Sequence, residues 1–298
     1  MNGVCSSTAP PSWYSAQVPS LDAIFVGDMQ ATLSVERLVG REDNVAVRMR
    51  IRREIARIDT RNVVFLGDLV ARPSAEAFRE LDPCLALLRE RGIPCAAAVG
   101  NHDLWVSPRR GYAELERRGL VRPGVSWQAL DIADLRVILL DSNRWALGAK
   151  RWAEQARWLL EEVGRAESDP SVRATIFVSH HPPWTNSAIT SDHEARLLAQ
   201  LEVFHAARKT RLWISGHVHA YERFVMRGKT LMVSGSAGAP RVPLLTGTRI
   251  RHTSLATVPR PSPFGWLELR AGAHEATLTL RAFTDLAEAA TDFDSISF

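Results

Sequence analysis

Five short polar segments, each directly after an apolar run, constrain this chain more than any other feature of its sequence. Four of them begin with Gly, which lets a backbone turn sharply at the end of a strand. All five carry carboxylate, amide or imidazole side chains. In an α/β sheet, groups that follow the carboxyl ends of strands meet in one crevice. The five segments are Gly27-Asp28-Met29-Gln30, Gly67-Asp68, Gly100-Asn101-His102-Asp103, His180-His181-Pro182 and Gly216-His217-Val218-His219.

The apolar runs and the spacing between them predict alternating strands and helices at the start of the chain. Runs at 23–26, 62–66 and 94–99 have the length and composition of short buried strands. Apolar residues recur at helical spacing over 45–58, with arginines on the other face. The remaining predicted elements are strands at 125–130, 135–140, 175–178 and 212–214, and helices at 78–88, 151–163 and 194–207.

The last third of the chain changes character, because its apolar runs pair into hairpins. One hairpin joins 223–227 to 230–234, and another joins 265–270 to 276–283. No internal repeat and no linker divides the sequence. We therefore predict a single domain over residues 21–285, with a flexible arm rich in Ser, Pro and Thr at 1–20 and a tail at 286–298.

Composition restricts the class of protein. The net charge is +4 without a Lys/Arg block, so no nucleic acid partner is expected. This excess of positive charge suits an anionic substrate, although the high arginine usage of a GC-rich genome gives the same excess. No apolar run reaches the length of a membrane span, and Met1–Ser20 lacks the pattern of a signal peptide, so we expect a cytoplasmic protein. Three cysteines without paired spacing argue against a disulfide framework.

The side chains of the five segments are suited to a pair of metal ions. A two-metal site needs carboxylate oxygens and imidazole nitrogens, and each ion must keep one open position. A water between two such ions ionises near neutral pH and can attack phosphorus in line. This mixture of donors favours Mn, Fe or Zn over Mg alone. The candidate ligands are Asp28, Asp68, Asn101, His180, His217 and His219.

His102 and Asp103 are the candidate catalytic residues. Next to the ions, His102 is placed to protonate a leaving alkoxide or to bind a phosphate oxygen. Asp103 is expected to orient and charge that imidazole. Taken singly, Gly-Asp after a strand is usually a turn, and a single His is usually structural. If all five segments were only structural, their common position at strand ends would require five coincidences.

The order of these motifs resembles the calcineurin-like metallophosphoesterase superfamily. The run from Gly216 to Arg223 is especially similar to the purple acid phosphatase branch, as is the segment from His180 to Trp184. The resemblance covers residues 22 to 285. It implies a four-layer α/β/β/α sandwich with two mixed β-sheets, a centre of two metal ions between loops at the sheet ends, and hydrolysis of phosphate esters.

The resemblance also implies a role for each candidate ligand. Asp28 and His219 would bind the first ion, and Asp68 would bridge both ions. Two departures place the chain beside the purple acid phosphatase branch. Gln30 stands where most members have His, and its amide oxygen would be a weaker ligand of the first ion than imidazole. Ala71 stands where that branch has the Tyr that gives its colour. The second ion would be held by Asn101, His180 and His217.

The leading functional hypothesis is a phosphomonoesterase that acts on a small phosphate ester. A phosphodiesterase is an alternative, because the same ions serve both reactions. A metal-binding scaffold that lost catalysis when Gln30 arose is another. The sequence leaves the oligomeric state open. Loops at 103–110, 184–193 and 236–263 are expected to set specificity. The candidate substrate contacts are Asn101, His181, His193, Arg109 and Arg241.

Overall fold

The computed structural model describes residues 21–298, so the predicted arm at 1–20 lies outside the described part. Two six-stranded sheets, each with parallel and antiparallel neighbours, form the centre of the fold. The strands are β1 (Ala23–Val26), β2 (Val63–Phe65), β3 (Cys95–Ala97), β4 (Gln128–Ile132), β5 (Leu135–Leu140), β6 (Ala174–Ser179), β7 (Thr210–Ser215), β8 (Tyr221–Met226), β9 (Lys229–Ser234), β10 (Phe264–Ala271), β11 (Ala276–Phe283) and β12 (Thr291–Ser297).

The order of strands in the first sheet is β12-β11-β10-β1-β2-β3, and in the second it is β4-β5-β6-β7-β9-β8.

None of the helices in residues 21–298 is both long enough and apolar enough to cross a membrane. A 3-10 turn spans Gly247–Arg249. The helices are α1 (Ser34–Leu38), α2 (Val45–Ile55), α3 (Ala75–Arg79), α4 (Asp82–Glu90), α5 (Pro108–Arg117), α6 (Arg144–Ser168) and α7 (Leu198–Ala206).

Three apolar cores separate four layers. Because side chains alternate along a strand, Ile24 of β1 packs toward the helices with Ile51, while Phe25 packs between the sheets. The central core joins the facing surfaces of the two sheets. A third core places Phe204 of α7 and Leu159 of α6 against the outer face of the second sheet. The structure thus confirms the four-layer α/β/β/α sandwich with two mixed sheets.

Two helices differ from the predicted ones, near Pro83 and at Gly148. The predicted helix at 78–88 is two helices, and Pro83 lies in the first turn of the second, where its missing N–H is harmless. The helix predicted at 151–163 begins earlier, at Arg144, and is kinked at Gly148, which has φ 72° and ψ 169°. Glycine adopts that conformation without a steric penalty.

The predicted tail at 286–298 is wrong, because residues 291–297 form β12 and pair antiparallel with β11. Phe293 and Ile296 pack against the core between the sheets. The other members of the strand are Thr, Asp and Ser, so the sequence shows no regular apolar alternation. The domain extends to the C-terminal strand, which is held by pairing and by an ion pair.

That ion pair supports a prediction on stability. Asp294 of β12 accepts two hydrogen bonds from Arg223 of β8, at 2.7 and 3.0 Å, and one from the Tyr221 hydroxyl at 3.0 Å. It therefore joins the two sheets. Because its side chain is only 7% exposed, we expect Asp294→Ala to lower the free energy of unfolding by about 2 kcal/mol, measured by urea denaturation.

The matched control is Asp292→Ala in the same strand. Asp292 pairs with Arg281 at 2.7 Å, but its side chain is 65% exposed. We expect that change to lower the free energy of unfolding by about 0.5 kcal/mol or less. Equal losses in the two variants would show that Asp294 does not fasten the strand.

Candidate metal centre

The five polar segments lie at the carboxyl ends of parallel strands, as their sequence context predicts. β1, β2 and β3 run parallel in the first sheet, and β6 and β7 run parallel in the second. Backbone hydrogen bonds then join the loops across strands. The Asp28 N–H donates to the Gly67 carbonyl, and the Gly216 N–H donates to the His180 carbonyl, both at 3.0 Å. The polar side chains consequently face one another.

Three of the candidate ligands have a backbone conformation that is rare for residues other than Gly. The φ angles of Asp28, Asp68 and His217 are 63°, 52° and 68°. Such a conformation costs on the order of 1–3 kcal/mol and persists only where the surrounding structure imposes it. Its occurrence at three candidate ligands, which follow three different strands, indicates that the loops hold these side chains in an inward direction.

The loops approach one another as closely as a backbone allows. A Cβ on Gly100 would lie 2.0 Å from the backbone nitrogen of Asp68, and one on Gly216 would lie 2.5 Å from Asp28 Oδ2. Only Gly fits at either place. The glycines of the sequence motifs therefore serve to bring ligand loops into contact, besides allowing a turn.

One group of side chains surrounds His180 Nε2. The nearest atoms are Asn101 Oδ1 at 3.0 Å, His217 Nδ1 at 3.2 Å and Asp68 Oδ2 at 3.3 Å. Ligand atoms that bind one ion at about 2.1 Å lie roughly 3 Å from each other. The spacing of Asp68, Asn101, His180 and His217 therefore fits the second ion of the predicted pair.

A second group lies around His219 Nε2. Gln30 Nε2 is 2.9 Å from it, and Asp28 Oδ1 is 3.5 Å from it. Gln30 Nε2 also lies 3.2 Å from Asp68 Oδ2, so Asp68 stands between the two groups. This arrangement matches the first ion of the pair, with Asp68 as the shared carboxylate.

The Gln30 amide shows whether the residues around His219 Nε2 fit a metal ion. Its Oε1 is buried and has no hydrogen-bond partner, although buried acceptors are normally paired. A half-turn of the amide exchanges Oε1 with Nε2 and directs the oxygen toward His219 and Asp68. A cation beside those groups would then satisfy the unpaired oxygen, so the donor set fits a metal ion.

Backbone carbonyls orient two of the imidazoles. His180 Nδ1 donates to the Leu66 carbonyl at 2.9 Å, and His219 Nδ1 donates to the Pro240 carbonyl at 2.7 Å. Because a carbonyl only accepts, each Nδ1 carries a proton and each Nε2 is the nitrogen that is turned toward a metal. Sequence reasoning missed both carbonyls, since a backbone group leaves no trace in residue type.

The electrostatics of the centre are those of a cation site. Burial raises the pKa of Asp28 well above its ordinary value, and the charge of Asp68 adds to this against the pull of His180. Burial alone would lower the pKa of His180, but Asp68 and Asp28 raise it to about 9. Since His binds metal as neutral imidazole, an ion would replace the proton that the carboxylates hold on His180.

The predicted role of Asp103 is wrong. Its carboxylate is fully buried and accepts hydrogen bonds from four backbone N–H groups, so it does not orient the His102 ring. That ring is held instead by the Ala71 carbonyl, 3.1 Å from Nδ1. Burial and the charge of Asp68 raise the pKa of Asp103 to about 6. The four donors are Asp68 N at 3.0 Å, Leu69 N at 2.8 Å, Val70 N at 3.3 Å and Gly100 N at 2.9 Å.

Of the predicted substrate contacts besides Asn101, the structure brings two histidines to the centre. The ring of His181 lies 4.4 Å from that of His217, and its Nδ1 lies 2.7 Å from Ser142 Oγ. The ring of His193 lies 5.3 Å from that of His217. The nitrogens of His180, His181 and His217 are close enough together for one ion, so His181 is a further candidate ligand.

The two arginines predicted as anion contacts are placed differently. Arg241 makes two hydrogen bonds of 2.9 Å with Glu42, so its charge is already neutralised and the prediction is corrected. Arg109 is exposed in the first turn of α5. It does not line the cleft of about 400 Å³ beside Asn101 and His102, whose other walls are Trp105 and Trp145. Of these two tryptophans, Trp105 lies in a loop that was expected to set specificity, at 103–110, and Trp145 does not.

Comparison with known proteins agrees with this geometry. A family model described as calcineurin-like phosphoesterase matches residues 22–221, more than half of the chain. Purple acid phosphatase 18 of Arabidopsis thaliana is 28% identical over 98 residues, which are 33% of this chain and 21% of the relative. The chain thus matches about a fifth of that relative's length.

Two solved structures share the fold. A purple acid phosphatase from yellow lupin (Lupinus luteus) seeds has a TM-score of 0.65 at 17% identity, covering 92% of this chain and 53% of its own. A dimetal phosphatase from Danio rerio has a TM-score of 0.58 at 14% identity, covering 91% and 98%. Given the family model and the ligand geometry, the chain belongs to the calcineurin-like phosphoesterase family.

Proposed function

We propose that this protein hydrolyses phosphate monoesters with two metal ions bound at the centre described above. The observation that carries the proposal is the meeting of two ligand groups on one shared carboxylate, Asp68. Asp28, His219 and the Gln30 amide would hold the first ion. Asn101, His180 and His217 would hold the second, and the mixture of carboxylate and imidazole donors suits Mn, Fe or Zn. When bound, such a pair supplies a water that ionises near neutral pH and neutralises charge on phosphoryl oxygens.

His102 completes the chemistry that the chain itself provides. Its backbone N–H donates to Asp68 Oδ1 at 2.7 Å, which helps to orient the shared carboxylate. Its ring is held at Nδ1 by Ala71 and lines the cleft beside Asn101. The other ring nitrogen is thus left to act at the substrate, where it protonates the leaving oxygen.

The experiment that tests this function restores metals to stripped protein. Mn, Fe, Zn, Ni, Co and Mg are added singly, and phosphate release from 4-nitrophenyl phosphate is followed together with metal content by mass spectrometry. We expect a transition metal to restore activity and to bind at about two ions per chain. His217→Ala should lose one ion and nearly all activity, because it removes a ligand of the second group.

The control is His274→Ala, which makes the same change at an exposed histidine between β10 and β11. It should keep both the metal and the activity. Folded protein that binds no metal and releases no phosphate would contradict the proposal. Hydrolysis of bis(4-nitrophenyl) phosphate faster than of the monoester would replace it with the phosphodiesterase alternative.

Gln30 is the observation behind the scaffold alternative, because an amide is a weaker ligand than an imidazole. The side chain is 2% exposed and lies among the first group of ligands. If the site is only weakened, Gln30→His should tighten the dissociation constant of the more weakly bound ion by roughly tenfold and raise phosphate release. Titration of stripped protein with metal, followed by calorimetry, measures the first effect. A fall in activity would show that the amide has its own role and that the scaffold alternative, in which Gln30 caused a loss of catalysis, is wrong.

A further inference from the structure

Two exposed tryptophans flank the cleft beside the second ligand group. The cleft has a volume of about 400 Å³ and is lined by Asn101, His102, Trp105 and Trp145. Trp105 is 43% exposed and Trp145 is 55% exposed, and neither belongs to the apolar cores among residues 21–298. Exposed aromatic side chains that share a concave surface are typical of a binding site.

The position of the cleft relates it to the leaving group of the reaction. Asn101 Oδ1 lies 3.0 Å from His180 Nε2, within the second ligand group. His102 is the proton donor of the proposed function, on which this argument rests. A proton donor must contact the leaving oxygen, so the substituent on that oxygen extends past His102 into the cleft.

The two indoles come from separate segments and are held differently. The rings of Trp105 and His102 meet edge to face, with centroids 4.9 Å apart and an interplanar angle of 86°. The next residue, Val106, has φ 60°, which is unusual for a β-branched side chain. Trp145 stands in the first turn of α6. The cleft thus joins a tryptophan positioned against the proton donor to one in the short segment of α6 before the kink at Gly148.

We infer that Trp105 and Trp145 form a subsite for a planar aromatic ring carried by the leaving group of a phosphate ester. Indole faces stack on planar π systems and gain about 0.5–1.5 kcal/mol beyond area burial, which corresponds to roughly two- to twelvefold in affinity. Among residues 21–298, no Asp, Glu, Lys or Arg lines the cleft, so these residues give it no permanent charge to select an ionic substituent. A ring on the ester and a nucleobase on a sugar share the required chemistry.

The test compares benzyl phosphate with cyclohexylmethyl phosphate on metal-loaded protein. The two leaving alcohols have similar size and acidity, so the comparison isolates stacking. We expect kcat/KM to favour the benzyl ester by about tenfold. Trp105→Ala and Trp145→Ala should each reduce the preference to about threefold or less, whereas Trp105→Phe should keep most of it. The control is Leu160→Ala on α6, which is 60% exposed and outside the cleft.

A binding measurement separates this subsite from catalysis. Calorimetry with benzylphosphonate and cyclohexylmethylphosphonate, which are not hydrolysed, should show the same preference and the same dependence on tryptophan. A second comparison, of adenosine 5′-phosphate with ribose 5-phosphate, distinguishes a ring on the ester from a base on a sugar. If the tryptophans increase the affinity only for the adenosine compound, the ring that the subsite binds is the base of a nucleotide.

Two results would overturn the inference. One is equal kcat/KM and equal affinity for the aromatic and saturated compounds. The other is a preference that survives in both alanine variants. If both esters are hydrolysed without preference, the subsite fails and the proposed function stands. If neither is hydrolysed but benzylphosphonate still binds more tightly through the tryptophans, the subsite stands and the proposed function fails.

Discussion

Asp68→Asn is expected to lower phosphate release by roughly a thousandfold and to leave fewer than two ions bound per chain. Asp68 Oδ2 lies 3.2 Å from Gln30 Nε2 and 3.3 Å from His180 Nε2, so it connects the two ligand groups. Asparagine keeps the shape of the side chain but removes the charge that both ions would share. Metal content and the steady-state rate, measured on the same preparation, check the result.

The control for this change is Asp131→Asn on β4. Asp131 pairs with Arg136 at 3.0 Å, and its side chain is 62% exposed. The same loss of charge there should leave metal content and phosphate release unchanged. Asp68→Asn protein that retains two ions and full activity would show that the shared carboxylate is not the bridge of the centre.

Asp103→Ala is expected to lower the free energy of unfolding of metal-free protein by about 4 kcal/mol. The carboxylate accepts hydrogen bonds from the backbone of the loops after β2 and β3. Removing it leaves four buried N–H groups without an acceptor, and each unpaired group carries a desolvation penalty. Urea denaturation followed by circular dichroism measures the loss.

An exposed aspartate that accepts a similar hydrogen bond provides the comparison. Asp285 Oδ1 accepts from the Ala287 N–H at 2.8 Å on the surface. Asp285→Ala should lower the free energy of unfolding by about 0.5 kcal/mol or less. If Asp103→Ala is no more destabilising than that, water reaches the loop amides and Asp103 does not clamp them. A loss of activity without a loss of stability would instead restore the predicted role beside His102.

Much of the fold was predictable because its strands are short, apolar and buried on both faces. The runs before Gly27, Gly67, Gly100 and Gly216 could be read from residue type alone. Strand β12 could not, because Thr, Asp and Ser fill most of its positions. It is ordered by pairing with the preceding strand, β11, and by the contact of Asp294 with Arg223. Arg223 lies 71 residues away in sequence, so no local pattern indicates that contact.

The candidate ligands were predictable for a related reason. Metal binding restricts residue type, so Asp, Asn and His at strand ends are visible in the sequence, and their order carries the family resemblance. The function of Asp103 was not visible, because its partners are backbone N–H groups of another loop. Trp145 was missed since it lies 40 residues after Trp105, and only the fold brings both to one cleft.

The sequence by itself determined which residues can bind metal and where most of the apolar strands lie along the chain, because donor chemistry and apolar runs are properties of residue types. Only the tertiary structure decided how those residues act together. It placed Asp68 between two ligand groups, oriented His180 and His219 on the carbonyls of Leu66 and Pro240, and assigned Asp103 to the backbone. These relations depend on distances between loops that close packing of the two sheets imposes, and no local pattern encodes them.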